Sequence, residues 1–462
     1  MRTPSTQPAI IHRSQKISYQ DYNQLASTAI SQLKSLGIKK GDRVAIASPN
    51  SVEYLILLQA LWRIRAVSCP LNIRLPKKTI RKQLKKINCR VLLSPNSIVI
   101  PAKCPILSFP RRRESSWNSW IPAFAGMTKK KTPFNQKITM LFTSGSTSEP
   151  KAVVHTYGNH YYNAKGSNEN IPVRPGDRWL LSLPLYHVSG LGVLFRTMIG
   201  GGTVVVPDKK EVLISAIKNY RVTHISLVTT QLYRLLQNSQ NIPTLRKLKA
   251  ILLGGSAIPA NLIALAKKYK LPVYISYGLT EMTSQVATSS KPCSAAKILN
   301  YRQLKIAKDG EILVKGKTLF AGYWDGEKLI RPLKNGWFTT GDLGRMKKGH
   351  LVIFGRKDRM FISGGENIHP EEIERELLRL PQIDQAIVVP QPNVEFGQRP
   401  TAFIKGKITS PKITSELERT LPRFKIPQTF YAWPAKLALQ IKPQRQTFLN
   451  LLKQKKDLRK LK

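Results

Sequence analysis

A short polar loop that follows a strand-like apolar run constrains this chain more than any other feature. The apolar run is 138–142, and the loop at 143–151 reads Thr-Ser-Gly-Ser-Thr-Ser-Glu-Pro-Lys. Small hydroxylated residues around a glycine leave backbone N–H groups and hydroxyls free to meet phosphate oxygens, and the lysine adds a mobile positive charge. The loop therefore predicts binding of a nucleoside triphosphate. An ordinary Ser/Thr/Gly surface turn is the alternative for this stretch taken alone.

The loop differs from a Walker A motif. In that motif a glycine precedes the lysine and Ser or Thr follows it, whereas here Pro150 precedes Lys151 and Ala152 follows it. The phosphate-binding hypothesis therefore depends on companion motifs elsewhere in the chain.

The chain is strongly basic. Lys and Arg together number 75 against 26 Asp and Glu, which gives a formal net charge of +49. Such an excess suits nucleic acid, a membrane surface or anionic metabolites. The basic residues are spread along the sequence, however, with local clusters only at 111–113, 129–131 and 453–462, and no recognition-helix, zinc-finger or RNP pattern is present. This distribution favours a general basic bias on solvated faces over a nucleic-acid partner.

The cysteines and the apolar runs bear on the compartment. Cys69, Cys89, Cys104 and Cys293 form no CxxC pair, which is typical of reduced thiols in a cytoplasmic protein. The first residues lack the apolar region of a signal peptide, and the most apolar run, 54–62, is too short to span a membrane. We predict a soluble cytoplasmic protein without a transmembrane segment. The sequence leaves the oligomeric state open, a homo-oligomer included.

Strand-like and helix-like segments alternate through most of the chain. A helical pattern over 19–36 stops at Gly37, a buried strand is predicted at 44–47, and a second helix is predicted over 51–64. Such alternation predicts a layered α/β architecture. Farther along, helices are predicted over 211–220 and 230–237, and strands over 225–228 and 250–253.

The chain changes character after Gly355. Pro370 and the acidic residues after it start a helix with proline in its first turn and acids near its positive end. Strands are predicted over 383–389 and 401–404. We therefore predict a large, multi-subdomain α/β body at 1–356 and a small α+β domain at 357–462.

Residues 110–131 interrupt this pattern. The segment mixes arginine and lysine triplets with Trp117, Trp120 and Phe124 and has no clear period. It resembles bacterial repeat elements that insert in frame into genes, and a surface insertion between domain-like segments costs little loop entropy. The alternative is a functional basic-aromatic loop that touches RNA or a membrane, since aromatic rings beside arginines suit single strands.

Five motifs in a fixed order resemble the acyl-adenylate-forming superfamily of acyl-CoA synthetases, nonribosomal adenylation domains and luciferases. The phosphate loop matches that superfamily's Thr-Ser-Gly-Ser/Thr-Thr-Gly-x-Pro-Lys pattern, except that Ser148 replaces the second glycine. The other motifs are Leu-Pro-Leu-Tyr-His-Val-Ser-Gly at 183–190, Tyr-Gly-Leu-Thr-Glu at 277–281, Thr-Gly-Asp at 340–342, and Gly-Arg-Lys-Asp at 355–358 leading into Ser-Gly-Gly-Glu-Asn-Ile-His-Pro at 363–370. The resemblance covers nearly the whole chain and implies a small mobile C-terminal domain hinged on a large body.

The resemblance implies that the chain activates a carboxylic acid with ATP and passes the acyl group to coenzyme A. Tyr277 then lies against adenine, Asp342 accepts hydrogen bonds from the ribose hydroxyls, and Arg356 reaches ribose or phosphate. The full set of implied ATP- and AMP-binding residues is Thr143, Ser144, Gly145, Ser146, Thr147, Lys151, Gly254, Gly255, Ser256, Tyr277, Gly278, Asp342 and Arg356.

The same resemblance assigns a metal ligand, a hinge and a channel. Glu281 is the implied Mg²⁺ ligand and Thr280 the implied contact to the α-phosphate, in a reaction whose charge builds on phosphate oxygens. Asp358 matches the hinge that swings the small domain between two half-reactions. Gly364 and Gly365 permit the close backbone approach that a narrow channel for coenzyme A needs.

The C-terminal catalytic lysine is the hardest residue to carry over. The superfamily usually has Gly-Lys shortly before an arginine, whereas this chain has Gln-Ile-Lys-Pro-Gln-Arg at 440–445. Lys442 is the candidate, although no glycine precedes it. Lys436 is its rival in a lysine-rich tail.

The acyl site is implied by the motif at 183–190 and by Arg196. Tyr186, His187 and Ser189 face the acyl group in this reading, and His187 is also a candidate catalytic residue, although it could instead be a capping or core histidine. Arg196 interrupts an otherwise apolar strand or helix. A buried arginine demands an anion, either a structural carboxylate or a carboxylate of the substrate.

These surroundings resemble the 2-succinylbenzoate–CoA ligases of menaquinone synthesis. Their substrate carries two carboxylates, of which one is activated and the other needs a cation such as Arg196. One alternative is a ligase for a different aryl or short acyl acid. Another is a retired synthetase scaffold that binds nucleic acid or an anionic surface.

Overall fold

The computed structural model describes residues 6–89, 91–93, 106–107, 133–143, 150–255, 258–363, 366–437, 444–454 and 458–461. The helices in these ranges are α1 (Tyr19–Ser35), α2 (Val52–Arg63), α3 (Lys77–Lys86), α4 (Tyr157–Asn170), α5 (Val188–Gly200), α6 (Leu213–Asn219), α7 (Thr229–Leu236), α8 (Ile242–Arg246), α9 (Ala260–Lys268), α10 (Pro370–Leu377), α11 (Ser410–Glu418) and α12 (Arg445–Gln454). None of them has the length and apolar composition needed to span a bilayer.

The strands in the same ranges are β1 (Pro8–His12), β2 (Gln15–Ser18), β3 (Arg43–Ile46), β4 (Val67–Pro70), β5 (Val91–Leu93), β6 (Ile106–Leu107), β7 (Lys137–Thr143), β8 (Lys151–Thr156), β9 (Arg178–Leu180), β10 (Thr203–Val205), β11 (His224–Leu227), β12 (Ala250–Gly254), β13 (Val273–Leu279), β14 (Ser284–Ser289), β15 (Ala296–Ile298), β16 (Arg302–Ile306), β17 (Glu311–Gly316), β18 (Gly322–Trp324), β19 (Leu329–Ile330), β20 (Leu333–Lys334), β21 (Trp337–Lys347), β22 (His350–Arg356), β23 (Phe361–Ser363), β24 (Glu366–Ile368), β25 (Ile383–Asn393), β26 (Gly397–Gly406) and β27 (Thr429–Ala432). Helices and strands thus intermix, and the predicted α/β fold class is confirmed.

Two large mixed sheets form the body. The first sheet has the strand order β15-β14-β13-β12-β11-β9-β10-β1-β2, and the second has the order β19-β18-β8-β7-β4-β3-β5-β6. In the first sheet the neighbouring strands β9, β11, β12 and β13 are parallel to one another, while β14 is antiparallel to β13. In the second sheet β8 is antiparallel to β7. The carboxyl end of β13 leads into a turn at Thr280–Met282, and the carboxyl ends of parallel strands are where sheets of this kind place ligands.

Three further sheets lie in the described residues, of which the smallest is the two-stranded pair β23-β24. A third sheet joins β16, β17, β21, β20 and β22, and a terminal sheet has the order β25-β26-β27. The terminal sheet packs with α10 and α11 over its own core, which includes Phe361, Ile373, Val388 and Leu417. It also contacts the body, since the Tyr233 hydroxyl donates to Asp384 Oδ1 at 2.7 Å.

Local sequence signals account for the first helices. Ser18 caps α1 by accepting a hydrogen bond from the Asp21 backbone, and Ser51 caps α2 by accepting one from the Tyr54 backbone. Gly37, just after α1, has φ +76°, a conformation that glycine adopts without steric cost. The buried face of α2 packs against α1 and Phe195 in one hydrophobic cluster.

Candidate active site

The two ends of the phosphate loop lie side by side. Thr143 ends β7 and Lys151 begins β8, and the two residues are register partners across the antiparallel pair. Ser144, Gly145, Ser146 and Thr147 lie outside the described residues, as does Ser148. The antiparallel pair therefore brings the two ends of the loop together, with Lys151 at the start of β8.

Lys151 and Glu281 both contact Tyr323. The Lys151 ammonium lies 5.1 Å from the centroid of the Tyr323 ring, a cation–π distance. The Tyr323 hydroxyl donates to Glu281 Oε1 at 2.7 Å. Burial, followed by the negative charge of Glu281, raises the pKa of Tyr323, so the phenol stays protonated as a donor. Tyr323 on β18 thus ties the phosphate-loop lysine to the glutamate at the end of β13.

Hydrogen bonds to two backbone carbonyls hold the turn that carries Glu281. The Glu281 carbonyl accepts from the Phe320 backbone N–H at 2.8 Å. The Thr280 carbonyl lies 2.7 Å from His155 Nε2, on β8. Burial lowers the pKa of His155 to about 4, so this imidazole is neutral around neutral pH.

Tyr277, Asp342 and Arg356 form a connected polar group. The Tyr277 hydroxyl donates to Asp342 Oδ2 at 2.7 Å, and Arg356 Nη1 donates to Asp342 Oδ1 at 3.2 Å. Arg356 also pairs with Asp358, at 3.1 Å from Nε to Oδ1. Burial raises the pKa of Asp342 although Tyr277 and Arg356 favour its ionised form, and burial raises the pKa of Tyr277. The structure therefore gathers the predicted adenine, ribose and hinge residues into one network.

Glycines allow the strands around Tyr277 to approach closely. A Cβ on Gly278 would lie 1.8 Å from the Ser284 carbonyl oxygen, so no other residue fits at that position. Gly254 ends β12 opposite Ser276 on β13, and Gly255 follows with φ +83°. Ser256, the third residue of that predicted loop, lies outside the described residues.

Arg196 is a buried cation with few hydrogen-bond partners. It lies in the third turn of α5, is 1% exposed, and packs over the Trp179 ring at 5.0 Å. Its Nη2 donates to Gln285 Oε1 at 3.0 Å, while its Nε and Nη1 are buried without a hydrogen-bond partner. Burial lowers its pKa to about 10, which still leaves it charged at neutral pH. Within the described part of the chain no carboxylate pairs with it.

Arg302, a second buried arginine nearby, has a hydrogen-bond partner for each of its three guanidinium nitrogens. Arg302 donates from Nε to the Gln285 carbonyl at 2.6 Å, from Nη1 to the Asn300 carbonyl at 2.6 Å and from Nη2 to the Asn163 carbonyl at 3.0 Å. Burial, and then the positive charge of Arg196, lower its pKa to about 9. Arg302 is therefore a structural cation, whereas two of the three guanidinium nitrogens of Arg196, Nε and Nη1, have no hydrogen-bond partner.

The acyl-site motif leads directly into α5. His187 precedes the first residue of α5, and its ring packs edge-on to Tyr186 at 4.7 Å. Ser189 lies in the first turn of the same helix. Gly192 makes room for the arginine, since a Cβ there would lie 3.0 Å from Arg196 Nη2. One helix thus places the motif at its start and the arginine two turns farther on.

Several predicted site residues cannot be placed. Lys442, Gly364 and Gly365 lie outside the described residues, and so does the segment 110–131. Arg445, which follows Lys442 by three residues, begins α12 and pairs with Glu374 on α10, at 3.0 Å from Nη2 to Oε2. That ion pair joins the start of α12 to α10.

The donor set around Glu281 fits a magnesium ion that arrives with a nucleotide. Within the described ranges no group of three or more His, Cys, Asp or Glu side chains could hold a metal by protein ligands alone. Mg²⁺ commonly takes one or two protein carboxylates and completes its shell with phosphate oxygens and water. Glu281 offers one carboxylate, half-buried and oriented by Tyr323.

Sequence reasoning missed the residues that support this site. Tyr323, His155 and Gln285 contact Glu281, the Thr280 carbonyl and Arg196 respectively. His155 stands four residues after Lys151, and Gln285 four after Glu281. For His155, a polar residue at the end of the apolar run 152–154, close behind a site motif, was the available signal.

Comparisons with known proteins identify relatives over nearly the whole length. The sequence model of the AMP-binding enzyme family matches residues 1–324. The 2-succinylbenzoate–CoA ligase of Oceanobacillus iheyensis is 34% identical over 435 residues, 90% of each chain. The o-succinylbenzoate CoA synthetase of Bacillus subtilis, in complex with the acyl-adenylate intermediate OSB-AMP, has a TM-score of 0.82 at 29% identity and covers 99% of this chain and 96% of its own. The same synthetase in complex with ATP and a magnesium ion has a TM-score of 0.79 at 30% identity, with 92% and 93% covered.

Proposed function

Because the chain belongs to the AMP-binding enzyme family, we propose that it is an ATP-dependent acid–thiol ligase that converts 2-succinylbenzoate to 2-succinylbenzoyl-CoA, with release of AMP and pyrophosphate. Relatives that bear this activity in their names match 90% of the chain. ATP and coenzyme A are its co-substrates and Mg²⁺ its metal ion. The resemblance predicted from the motifs is confirmed.

The observation that carries the choice of acid is the state of Arg196. A buried guanidinium with two of its nitrogens unpartnered is unfavourable unless an anion reaches it. A substrate with a second carboxylate supplies that anion, whereas a simple fatty or aryl monocarboxylate leaves the charge unpaired. Arg196 thus selects for a dicarboxylic acid, with one carboxylate held and the other free to react.

In the first half-reaction an oxygen of the free carboxylate attacks the α-phosphorus of ATP. A carboxylate–phosphorus bond forms, the bond from phosphorus to the bridging oxygen breaks, and pyrophosphate leaves. Lys151 and the loop at 143–151 bind the β- and γ-phosphates, and Thr280 contacts the α-phosphate. Glu281 holds Mg²⁺, which neutralises charge that develops on the phosphate oxygens. Tyr277, Asp342 and Arg356 position the nucleoside.

In the second half-reaction the sulfur of coenzyme A attacks the acyl carbonyl. A carbon–sulfur bond forms, the carbon–oxygen bond to AMP breaks, AMP leaves with the electron pair, and the thiol proton passes to solvent. We propose that 1–356 and 357–462 move as two units about Asp358, so that Lys442 serves the first step and Gly364 and Gly365 line the thiol channel in the second.

The proposed function is tested by ATP–pyrophosphate exchange with a panel of acids. We expect exchange with 2-succinylbenzoate, with much weaker exchange for 4-oxo-4-phenylbutanoate and 2-butanoylbenzoate, which lack the ring and the chain carboxylate respectively. The analogue that retains some activity identifies the carboxylate that is activated. Equal exchange with unrelated aryl acids would instead indicate a different ligase, and no exchange with any acid would favour the retired scaffold.

The lysine assignment gives a separate prediction. Replacing Lys442 with alanine is expected to lower the first half-reaction by about 10²- to 10³-fold, because one positioned cation on a developing oxyanion contributes on that scale. Thioester formation from pre-formed acyl-adenylate should change little. Lys436→Ala is the matched control in the same tail. If Lys436→Ala loses the exchange and Lys442→Ala keeps it, the assignment of Lys442 is wrong.

A further inference from the structure

A chain of buried polar side chains runs beneath the turn that carries Glu281. It consists of His160 on α4, Thr139 on β7 and His155 on β8, and it ends on the Thr280 carbonyl. Thr139 Oγ1 lies 2.8 Å from His160 Nε2 and 3.3 Å from His155 Nδ1, and His155 Nε2 lies 2.7 Å from the Thr280 oxygen. His155 and Thr139 are fully buried and His160 is 2% exposed. We call these three side chains the buried histidine chain.

The hydrogen bonds of the buried histidine chain allow only one assignment of donors and acceptors. The Thr280 carbonyl can only accept, so His155 carries its proton on Nε2. In the neutral ring Nδ1 is then an acceptor, and the Thr139 hydroxyl must donate to it. That hydroxyl has a single hydrogen, so His160 Nε2 must donate to Thr139 Oγ1. Each member therefore fixes the tautomer or rotor of the next.

The buried histidine chain contacts the peptide next to the residues that are proposed to bind magnesium and the α-phosphate. The Thr280 carbonyl belongs to the peptide that leads into Glu281, whose side chain is held separately by Tyr323 at 2.7 Å. Rotation of that peptide would turn the Glu281 carboxylate and the Thr280 hydroxyl away together. A hydrogen bond to the carbonyl from a rigid, buried ring opposes such rotation.

At its other end, the buried histidine chain packs against α5, the helix that carries Arg196. The His160 ring stacks on Phe195 at 4.6 Å with an interplanar angle of 11°. Phe195 precedes Arg196 on α5. The ring that starts the buried histidine chain is thus held by packing, and its orientation does not depend on solvent.

We propose that His155 is a positioning residue that, through the Thr280 carbonyl, holds Glu281 and Thr280 in place for magnesium and the α-phosphate of ATP. The proposal rests on the function proposed above. His155 touches neither substrate nor metal, and its contribution is the orientation of residues that do.

The tautomer can be measured without any turnover. In protein whose histidines are labelled with the nitrogen-15 isotope, NMR should show His155 as a neutral ring protonated on Nε2 at neutral pH. The His155 signals are assigned by their disappearance in His155→Gln. Thr139→Val, which removes the hydroxyl that donates to Nδ1, should shift the His155 Nδ1 resonance. A His155 ring protonated on Nδ1 would overturn the proposal, whatever the enzymatic activity.

Paired substitutions test the positioning role. His155→Phe keeps the ring but removes the donor, and we expect the Mg²⁺ concentration for half-maximal exchange to rise about tenfold, as for loss of other groups that orient a metal ligand. His155→Gln places an amide donor at the reach of Nε2 and should stay within about threefold of wild type. The KM for 2-succinylbenzoate should be unchanged in both. His12→Phe is the matched control, since His12 Nδ1 likewise meets a backbone carbonyl, that of Val206, at 2.8 Å.

The outcomes are separable. If His155→Phe and wild type have the same Mg²⁺ dependence and the same affinity for MgATP by calorimetry, the positioning role is wrong. If His155→Phe does not fold, Thr139→Val carries the test, with an expected rise of about threefold in the Mg²⁺ requirement; no rise there overturns the proposal as well. If wild type binds MgATP but exchanges with no acid, the proposed function fails while the calorimetric comparison still decides the role of His155.

Discussion

Replacing Arg196 with methionine is expected to lower kcat/KM for 2-succinylbenzoate by about 10³-fold. Removal of one partner from a buried charge pair costs about 3–5 kcal/mol, and each 1.36 kcal/mol corresponds to about a factor of ten. The loss should fall mainly on substrates with both carboxylates. For 4-oxo-4-phenylbutanoate, which has no ring carboxylate, the variant and the wild type should differ by less than about threefold if the ring carboxylate is the group held. Steady-state exchange rates with both acids measure the difference.

The same substitution is expected to leave the free protein as stable or more stable. Arg196 is 1% exposed and two of its guanidinium nitrogens have no partner. Methionine has similar length and no charge to desolvate, so the free energy of unfolding should be unchanged or rise by up to about 3 kcal/mol. Thermal unfolding without ligand measures this. Loss of activity together with gain of stability is the signature of a residue kept for binding.

Arg302→Met is the matched control for that result. Arg302 is also buried, but it satisfies three backbone carbonyls. Its loss removes three hydrogen bonds to backbone carbonyls and should destabilise the protein by about 2–4 kcal/mol. If Arg196→Met behaved like Arg302→Met, or if it turned over 2-succinylbenzoate as wild type does, Arg196 would be a structural cation and the choice of substrate would be wrong.

Replacing Glu281 with glutamine is expected to abolish most of the magnesium-dependent exchange, by about 10²- to 10³-fold. Glutamine keeps the shape of the side chain and an oxygen that can accept from Tyr323, which donates at 2.7 Å in this structure. It lacks the negative charge that a hard divalent cation prefers in its ligands. The rate should recover in part at high Mg²⁺, because metal bound only through phosphate and water then supports the reaction.

Glu327→Gln controls for a general loss of negative charge. Glu327 is an exposed glutamate between β18 and β19 whose backbone N–H donates to Asp325. Its substitution should change neither the rate nor the Mg²⁺ dependence. A Glu281→Gln enzyme with the rate and Mg²⁺ requirement of wild type would remove Glu281 from the metal site and leave the phosphates without a protein carboxylate nearby.

Much of the fold followed from local signals in the sequence. The helix predicted over 19–36 is α1, the helix over 51–64 is α2 capped by Ser51, and the strands at 225–228 and 250–253 are β11 and β12 within one residue. Pro370 begins α10 as predicted. Helix caps, glycine stops and apolar periods act over a few residues, so they can be read without knowing the partners of each segment. The helix predicted from residue 211 begins later, at Leu213, since nothing local marks its start.

The sequence by itself determined the family, the order of the motifs and the identity of most candidate residues, because each motif is contiguous and carries its own backbone requirements. Only the tertiary structure decided that Arg196 lies in a helix, is buried and has two guanidinium nitrogens without a partner. The sequence had left its partner open between a structural carboxylate and a carboxylate of the substrate. The tertiary structure also decided that Tyr323 and His155 support Glu281 and Thr280. Those contacts join residues more than forty positions apart, on two strands, β18 and β8, and on the turn after β13. The pairing of strands, which sets such contacts, depends on the packing of the whole body.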